Sequence, residues 1–257
     1  MCIVLLNNLT IGKYYPVNSK IHDLNPTFKI IATLLFVISV FLTNNLYMHI
    51  ILFAFLLLII SASNVPLKAY FKTIYSVKWL LLFILLINLV FKVSLTTSIV
   101  MVLRIIYILW YTTVLTLTTT PMDLTYGLQK TLSPLKKIIP VNRIAFSLAL
   151  ALRFIPTIFD EANIVLKSQA NRGIDYKYIN LKGKLLAISS LIIPVFNLTL
   201  QKADLLSDTL EVRLYDIDSE RKYSNYNAVG VFDMLYLISH IIIIILIIIN
   251  GVLKWDI

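Results

Sequence analysis

The sequence predicts an all-α membrane protein with about five transmembrane helices and a cytoplasmic module of long amphipathic helices. Three observations predict it. Of 257 residues, 59% are hydrophobic and 14% charged, with a mean hydropathy of +0.85, outside the range of soluble globular domains. The apolar residues gather in five runs that match, or nearly match, a hydrocarbon layer about 30 Å thick. The charges gather elsewhere, with 10 of the 13 acidic and 14 of the 23 basic residues between Pro121 and Tyr226.

The five runs are Phe28 to Leu42, Leu46 to Ala62, Trp79 to Phe91, Ser98 to Thr119 and Met234 to Val252. The third is short, and the fourth is interrupted by Arg104, which is costly in hydrocarbon unless it faces protein or water or reaches a headgroup. A packing or orienting role is the plainer reading of that arginine. No Asp or Glu occurs from Leu24 to Met122, so the lysines there are a clean orientation signal. Lys13, Lys20 and Lys29 precede or open the first run, and Lys68, Lys72 and Lys78 lie between the second and third. The opposite connections carry only Lys92. The positive-inside rule then puts the N-terminus in the cytoplasm, returns the chain there after Thr119 and leaves the C-terminus outside. Residues 1–120 thus form an N-terminal membrane region, 121–226 a cytoplasmic coupling-helix module and 227–257 a last transmembrane helix.

Within the module, Ile144, Leu148, Leu152, Ile155, Phe159, Ala162 and Leu166 recur every three or four residues while the charges fall mostly between them, predicting a long amphipathic helix. Ile188, Ile192, Val195, Leu198, Leu206 and Leu210 predict a second. Pro156 and Pro194 lie inside these patterns, where each removes a backbone donor and favours a bend. The first helix closes with Asn171-Arg172-Gly173, in which glycine suits the left-handed position just past a helix end. The second closes with Glu211-Val212-Arg213-Leu214. An arginine at such a place either caps its own helix or offers a guanidinium fork to the carboxylates or carbonyls of a partner groove.

Other functions are disfavoured. The net charge of +10 fits membrane orientation and anionic headgroups better than nucleic acid, so no nucleic-acid partner is expected. Cys2 is the one cysteine, and His22, His49 and His240 stand far apart without carboxylates at ligand spacing, so no metal or other cofactor is expected. The opening stretch lacks the basic and long apolar regions of a cleaved signal peptide. A membrane-embedded lipid-modifying enzyme is an alternative, but its only adjacent acidic pair, Asp160 and Glu161, points about 100° apart on a helix. There is no phosphate-binding loop of the G-x-x-x-x-G-K-[ST] kind, so the chain is not expected to hydrolyse ATP and is read as no enzyme. A passive membrane scaffold is the third reading.

A family resemblance decides among them. Ile11-Gly12-Lys13-Tyr14-Tyr15 with Ser19, His22, Leu24, Pro26 and Lys29, then Thr120-Pro121-Met122-Asp123-Leu124 with Gly127 and Leu128, Pro134-Leu135-Lys136-Lys137, and Ala151-Leu152-Arg153-Phe154-Ile155-Pro156 with Glu161 together resemble the T component of energy-coupling factor transporters. These are prokaryotic importers of vitamins and transition-metal ions such as cobalt and nickel. The resemblance implies a multi-pass cell-membrane protein whose partners are two cytoplasmic ATP-binding-cassette ATPases and a membrane-embedded substrate-binding S component. It further implies that two Ala-Arg-Gly motifs at the coupling-helix ends dock the ATPases. Arg172 and Arg213 match the motif arginines and Gly173 the first glycine. Asn171, Val212 and Leu214 stand where the family has alanine, alanine and glycine. Arg153, Pro156, Glu161, Pro194 and Glu211 would support the coupling helices.

Overall fold

The computed structural model of the chain describes residues 14–43, 45–172, 181–216 and 229–253, and every regular element among them is helical. Six α-helices form one compact unit: α1 (Pro26–Leu42), α2 (Leu46–Ala62), α3 (Leu67–Val90), α4 (Leu95–Thr118), α5 (Pro121–Leu132) and α8 (Val231–Leu253). Two long helices, α6 (Val141–Asn171) and α7 (Leu181–Val212), form a second. A 3-10 turn, Ser133–Lys137, follows α5.

Local chemistry sets the helix starts. Asn25 accepts the Thr27 N–H at 3.1 Å with Pro26 in the first turn of α1, and Ser94 accepts the Thr97 N–H at 3.2 Å at the head of α4, both N-caps. Thr120 and Asp123 close a reciprocal capping box at the head of α5, again with proline in the first turn. Of the helices, α3, α4, α6 and α8 are long and apolar enough to cross a membrane, while α1 and α2 have 17 residues each, about 25 Å at 1.5 Å per residue. The third apolar run is longer than the sequence suggested. Helix α3 starts directly after Pro66 and spans 24 residues, so Lys68, Lys72 and Lys78 lie on the helix and not in a loop before it. Lysine is a good helix former and its stem can run along apolar surface; Lys78 Nζ sits 3.9 Å from the Tyr75 ring centroid.

Helix α1 is the hub, packing on α4, α5 and α8, while α4 also packs on α2 and α3. Phe36, Val40, Leu52, Leu56, Tyr70, Tyr111 and Val114 are buried in the shared core, with the rings of Phe36 and Tyr111 stacked at 4.3 Å. Several polar groups in this core are paired, as an apolar medium favours, whereas both ring nitrogens of buried His49 and the Trp110 indole nitrogen find no hydrogen-bond partner among the described residues. The Tyr111 hydroxyl donates to His240 Nε2 at 2.6 Å and lies 2.8 Å from the Tyr236 hydroxyl, while His240 Nδ1 donates to the Tyr236 carbonyl at 2.8 Å. Arg104 donates from Nη2 to the Thr43 carbonyl at 2.7 Å, a cation at the C-terminal end of α1 where the helix dipole favours it. That geometry gives Arg104 the packing role. At the same end Asn45 Nδ2 donates to Asn250 Oδ1 at 3.0 Å.

Helix α5 belongs with this unit, although the charge pattern grouped residues from 121 onward with the coupling module. Its close crossing with α1 is the reason. A Cβ on Gly127 would meet Ile30 Cδ1 at 2.7 Å and the Pro26 backbone at 3.0 and 3.1 Å, so only glycine lets these backbones approach.

In the second unit α6 and α7 run antiparallel, each passing through its internal proline, Pro156 or Pro194, without a break. Three contacts fix the register. Phe146 packs on Tyr215 with ring centroids 4.9 Å apart, Glu161 pairs with Lys202, and Gln169 Nε2 donates to the Ser190 carbonyl at 3.3 Å.

Candidate partner-docking site

Of the sequence-predicted site residues, Asn171, Arg172, Glu211, Val212, Arg213 and Leu214 stand at the two tips of this antiparallel pair, while Arg153, Pro156, Glu161 and Pro194 lie along the helices. Arg172 is the residue at which α6 ends, its N–H donating to the Gln169 carbonyl at 3.1 Å. Arg213 is the corresponding residue of α7. Because the helices run in opposite directions, the arginines stand at opposite ends of the pair: Tyr215, two residues past Arg213, packs on Phe146 near the start of α6, and the stretch from Phe146 to Arg172 is roughly 39 Å long at 1.5 Å per residue. Asn171, Arg172, Glu211, Val212, Arg213 and Leu214 are all exposed. Among the described residues neither guanidinium bonds any group of the chain, its own helix carbonyls included. Gly173 lies outside the described residues.

The α7 tip ends without the expected glycine by forcing another residue into the glycine conformation. Leu214 has φ 49°, its N–H donates to the Glu211 carbonyl at 2.9 Å, and the Tyr215 N–H donates to the Leu210 carbonyl at 3.0 Å. This bond pair is the Schellman arrangement. The helix therefore stops at Arg213 although Leu214 occupies the glycine position.

The supporting residues separate into two groups. Glu161 is buried and faces α7, where Lys202 meets it; Lys202 was not singled out from sequence, because a partner across two helices leaves no spacing signal. Pro194 is half-buried, while Arg153, Pro156 and Glu211 are exposed, and no described contact ties Arg153 to the tips.

The motif residues around the start of α1 converge as well. His22 accepts from the Ser19 hydroxyl at Nδ1, 2.7 Å, and donates from Nε2 to the Tyr15 carbonyl, 3.0 Å. Burial holds its imidazole below the usual histidine range, opposed by the bond to the Tyr15 carbonyl. Lys29, 3% exposed, donates to the carbonyls of His22 and Thr118, both at 3.0 Å, with Asp123, Asp23 and Asp233 supplying nearby negative charge. Asp233 accepts the Asn25 N–H at 2.8 Å and the Gly230 N–H at 2.9 Å, and so joins α8 to the start of α1. Its position three residues past Gly230, at a helix start, was the available sequence signal. This node is a structural clasp: its donors and acceptors are turned inward on one another.

The profile of the CbiQ family, described as cobalt transport protein, matches residues 17–224. The chain belongs to this family. It is similar to the energy-coupling factor transporter transmembrane protein EcfT of Bacillus subtilis, 35% identical over 228 residues that cover 82% of this chain and 86% of the relative. The EcfT protein of Listeria innocua is 33% identical over the same shares, and that of Streptococcus equi 32% identical over 85% and 88%. Family membership and the apolar helices together make the chain a multi-pass transmembrane component of the energy-coupling factor transporter class.

Proposed function

We propose that this chain is the T component of an importer for a vitamin or metal ion, and that it carries ATP-driven motion from two cytoplasmic ATPases to a membrane-embedded S component. The observation that carries this reading is the pair of guanidinium groups at opposite tips of α6 and α7, neither of which has a partner among the described residues. A capping arginine would spend its donors on its own helix; these two do not. Two tips roughly 39 Å apart suit two separate sockets, one on each ATPase of a pair, and poorly suit a single one. Closure of the pair on binding ATP would then move both tips. Helices stiffened by the Glu161–Lys202 pair would pass that displacement on.

The apolar faces of the two helices support the same reading. Ile144, Leu148 and Ile164 on α6, and Ile192, Phe196 and Leu205 on α7, are exposed. Such a surface on a transporter component is one that a partner or the bilayer covers. The proposed orientation places the N-terminal segment and both tips in the cytoplasm, on the lysine pattern of the first three helices.

Charge reversal tests the docking. Central interface arginines are worth 2 kcal/mol or more, so Arg172→Glu and Arg213→Glu are each expected to weaken ATPase retention about thirtyfold, and the double variant to purify without ATPases. A double variant that keeps both ATPases in co-purification overturns the proposal.

A further inference from the structure

Helices α2 and α8 meet at Asn45–Asn250 and again where Phe55 packs edge-on against His240, ring centroids 4.9 Å apart. Toward Ala62 and Phe232 a groove of about 300 Å³ opens between them. Ile21, Leu24 and Ile59 are buried at its floor, and the exposed side chains of Leu58, Phe232 and Leu235 form its walls. Among the described residues its one cation is Lys20, whose ammonium lies 6.0 Å from the Phe232 ring centroid. Among the described residues no carboxylate pairs with Lys20. The same end of the bundle carries Lys68 and Lys72 on the first turns of α3.

Three features restrict what fills this groove. Its walls offer almost no hydrogen-bond partners, so water gains nothing there. The helices that form it belong to a multi-pass membrane protein and its rim carries the exposed apolar side chains of Leu58, Phe232 and Leu235, a surface suited to hydrocarbon. Its volume is at the lower limit of small-ligand sites, room for a stretch of one acyl chain. An ammonium at the mouth of an apolar slot, at a basic bundle end, is complementary to a phosphate carried on an acyl chain.

We propose that this groove holds one acyl chain of an anionic phospholipid, with the lipid phosphate on Lys20. The inference rests on the membrane location alone and is independent of the arginine tips. A bare phosphodiester without a cationic headgroup brings no charge to compete with Lys20 at the slot. A choline headgroup brings a second cation to the same place and loses that advantage.

The test uses the full chain, with whatever partners accompany it, reconstituted in vesicles of equal phosphatidylglycerol and phosphatidylcholine and then released into detergent for native mass spectrometry. The parent is expected to retain one phosphatidylglycerol in preference to phosphatidylcholine. Lys20→Gln should cut that retention about fivefold, the share of one lysine near an anionic lipid, and leave phosphatidylcholine unchanged. Ala62→Trp, which fills the slot, should remove both lipids; Leu58→Trp serves the same purpose if the first variant does not fold. Equal retention of the two lipids by the parent overturns the proposal. So does an undiminished preference in Lys20→Gln, an unchanged lipid load in a folded tryptophan variant, or recovery of a peptide cross-linked through Lys20 in place of lipid.

Discussion

Leu214 holds a left-handed backbone conformation, φ 49°, that costs an L-residue with a Cβ roughly 1–2 kcal/mol. Its side chain is 91% exposed and returns almost nothing in packing. Leu214→Gly should therefore stabilise the α7 end, offset in part by the greater freedom of glycine in the unfolded chain. The expected net gain of about 1 kcal/mol corresponds to a rise in melting temperature of roughly 2–4 °C, read by thermal unfolding of the purified protein. Leu214→Val should move it the other way, since branching at Cβ worsens the same clash. The ion pair between α6 and α7 makes an asymmetric prediction. Glu161→Gln removes the buried charge and the pairing together and should cost about 1–2 kcal/mol. Lys202→Met leaves the buried carboxylate of Glu161 uncompensated and should cost more, roughly 3 kcal/mol. Equal losses in the two variants would mean that the carboxylate is solvated, contrary to its 9% exposure.

Helices were legible where one physical constraint dominated. Runs of apolar residues announced α1, α2, α4 and α8, and the 3.6-residue period announced α6 and α7. Helix α3 was underestimated because hydropathy marks where a span is apolar, whereas a helix also extends through residues that are merely good helix formers, such as Lys68 and Lys72. Pairings between elements were the illegible part. Nothing in the spacing of Lys202, Tyr215 or Asp233 reveals the partner across the gap, and α5 was grouped by its charge when its real determinant is a bare backbone at Gly127. The crossing of α1 and α5 makes that determinant testable. Gly127→Ala places a Cβ 2.7 Å from Ile30 Cδ1 and 3.0–3.1 Å from the Pro26 backbone, an overpacking worth about 1–3 kcal/mol. Ile30→Val removes the Cδ1 clash and leaves the Pro26 clash, so the double variant should recover part of the lost melting temperature and not all of it. Full recovery would show that the helix backbones have room to separate.

The whole molecule places its charges according to a rule that the fold makes spatial. Because α1 to α4 alternate in direction, the start of α1, the end of α2, the start of α3 and the end of α4 lie at one end of the bundle, and Lys20, Lys68 and Lys72 all fall there. The Tyr15 N–H donates to the Leu117 carbonyl at 2.9 Å, which ties the segment before α1 to the end of α4. The other end has only Lys92 among its connections. An excess of lysine at one end orients insertion with that end in the cytoplasm, and the proposed docking tips require that same compartment. Replacing Cys2 by serine and introducing Asn18→Cys, Thr96→Cys or Asp208→Cys, each at an exposed position, separates the two ends and α7. A membrane-impermeant maleimide added to intact cells should label the Thr96→Cys protein, while the Asn18→Cys and Asp208→Cys proteins should react only after lysis. Labelling of Asp208→Cys from outside would put α7 beyond the reach of any ATPase, and labelling of Asn18→Cys from outside would invert the bundle.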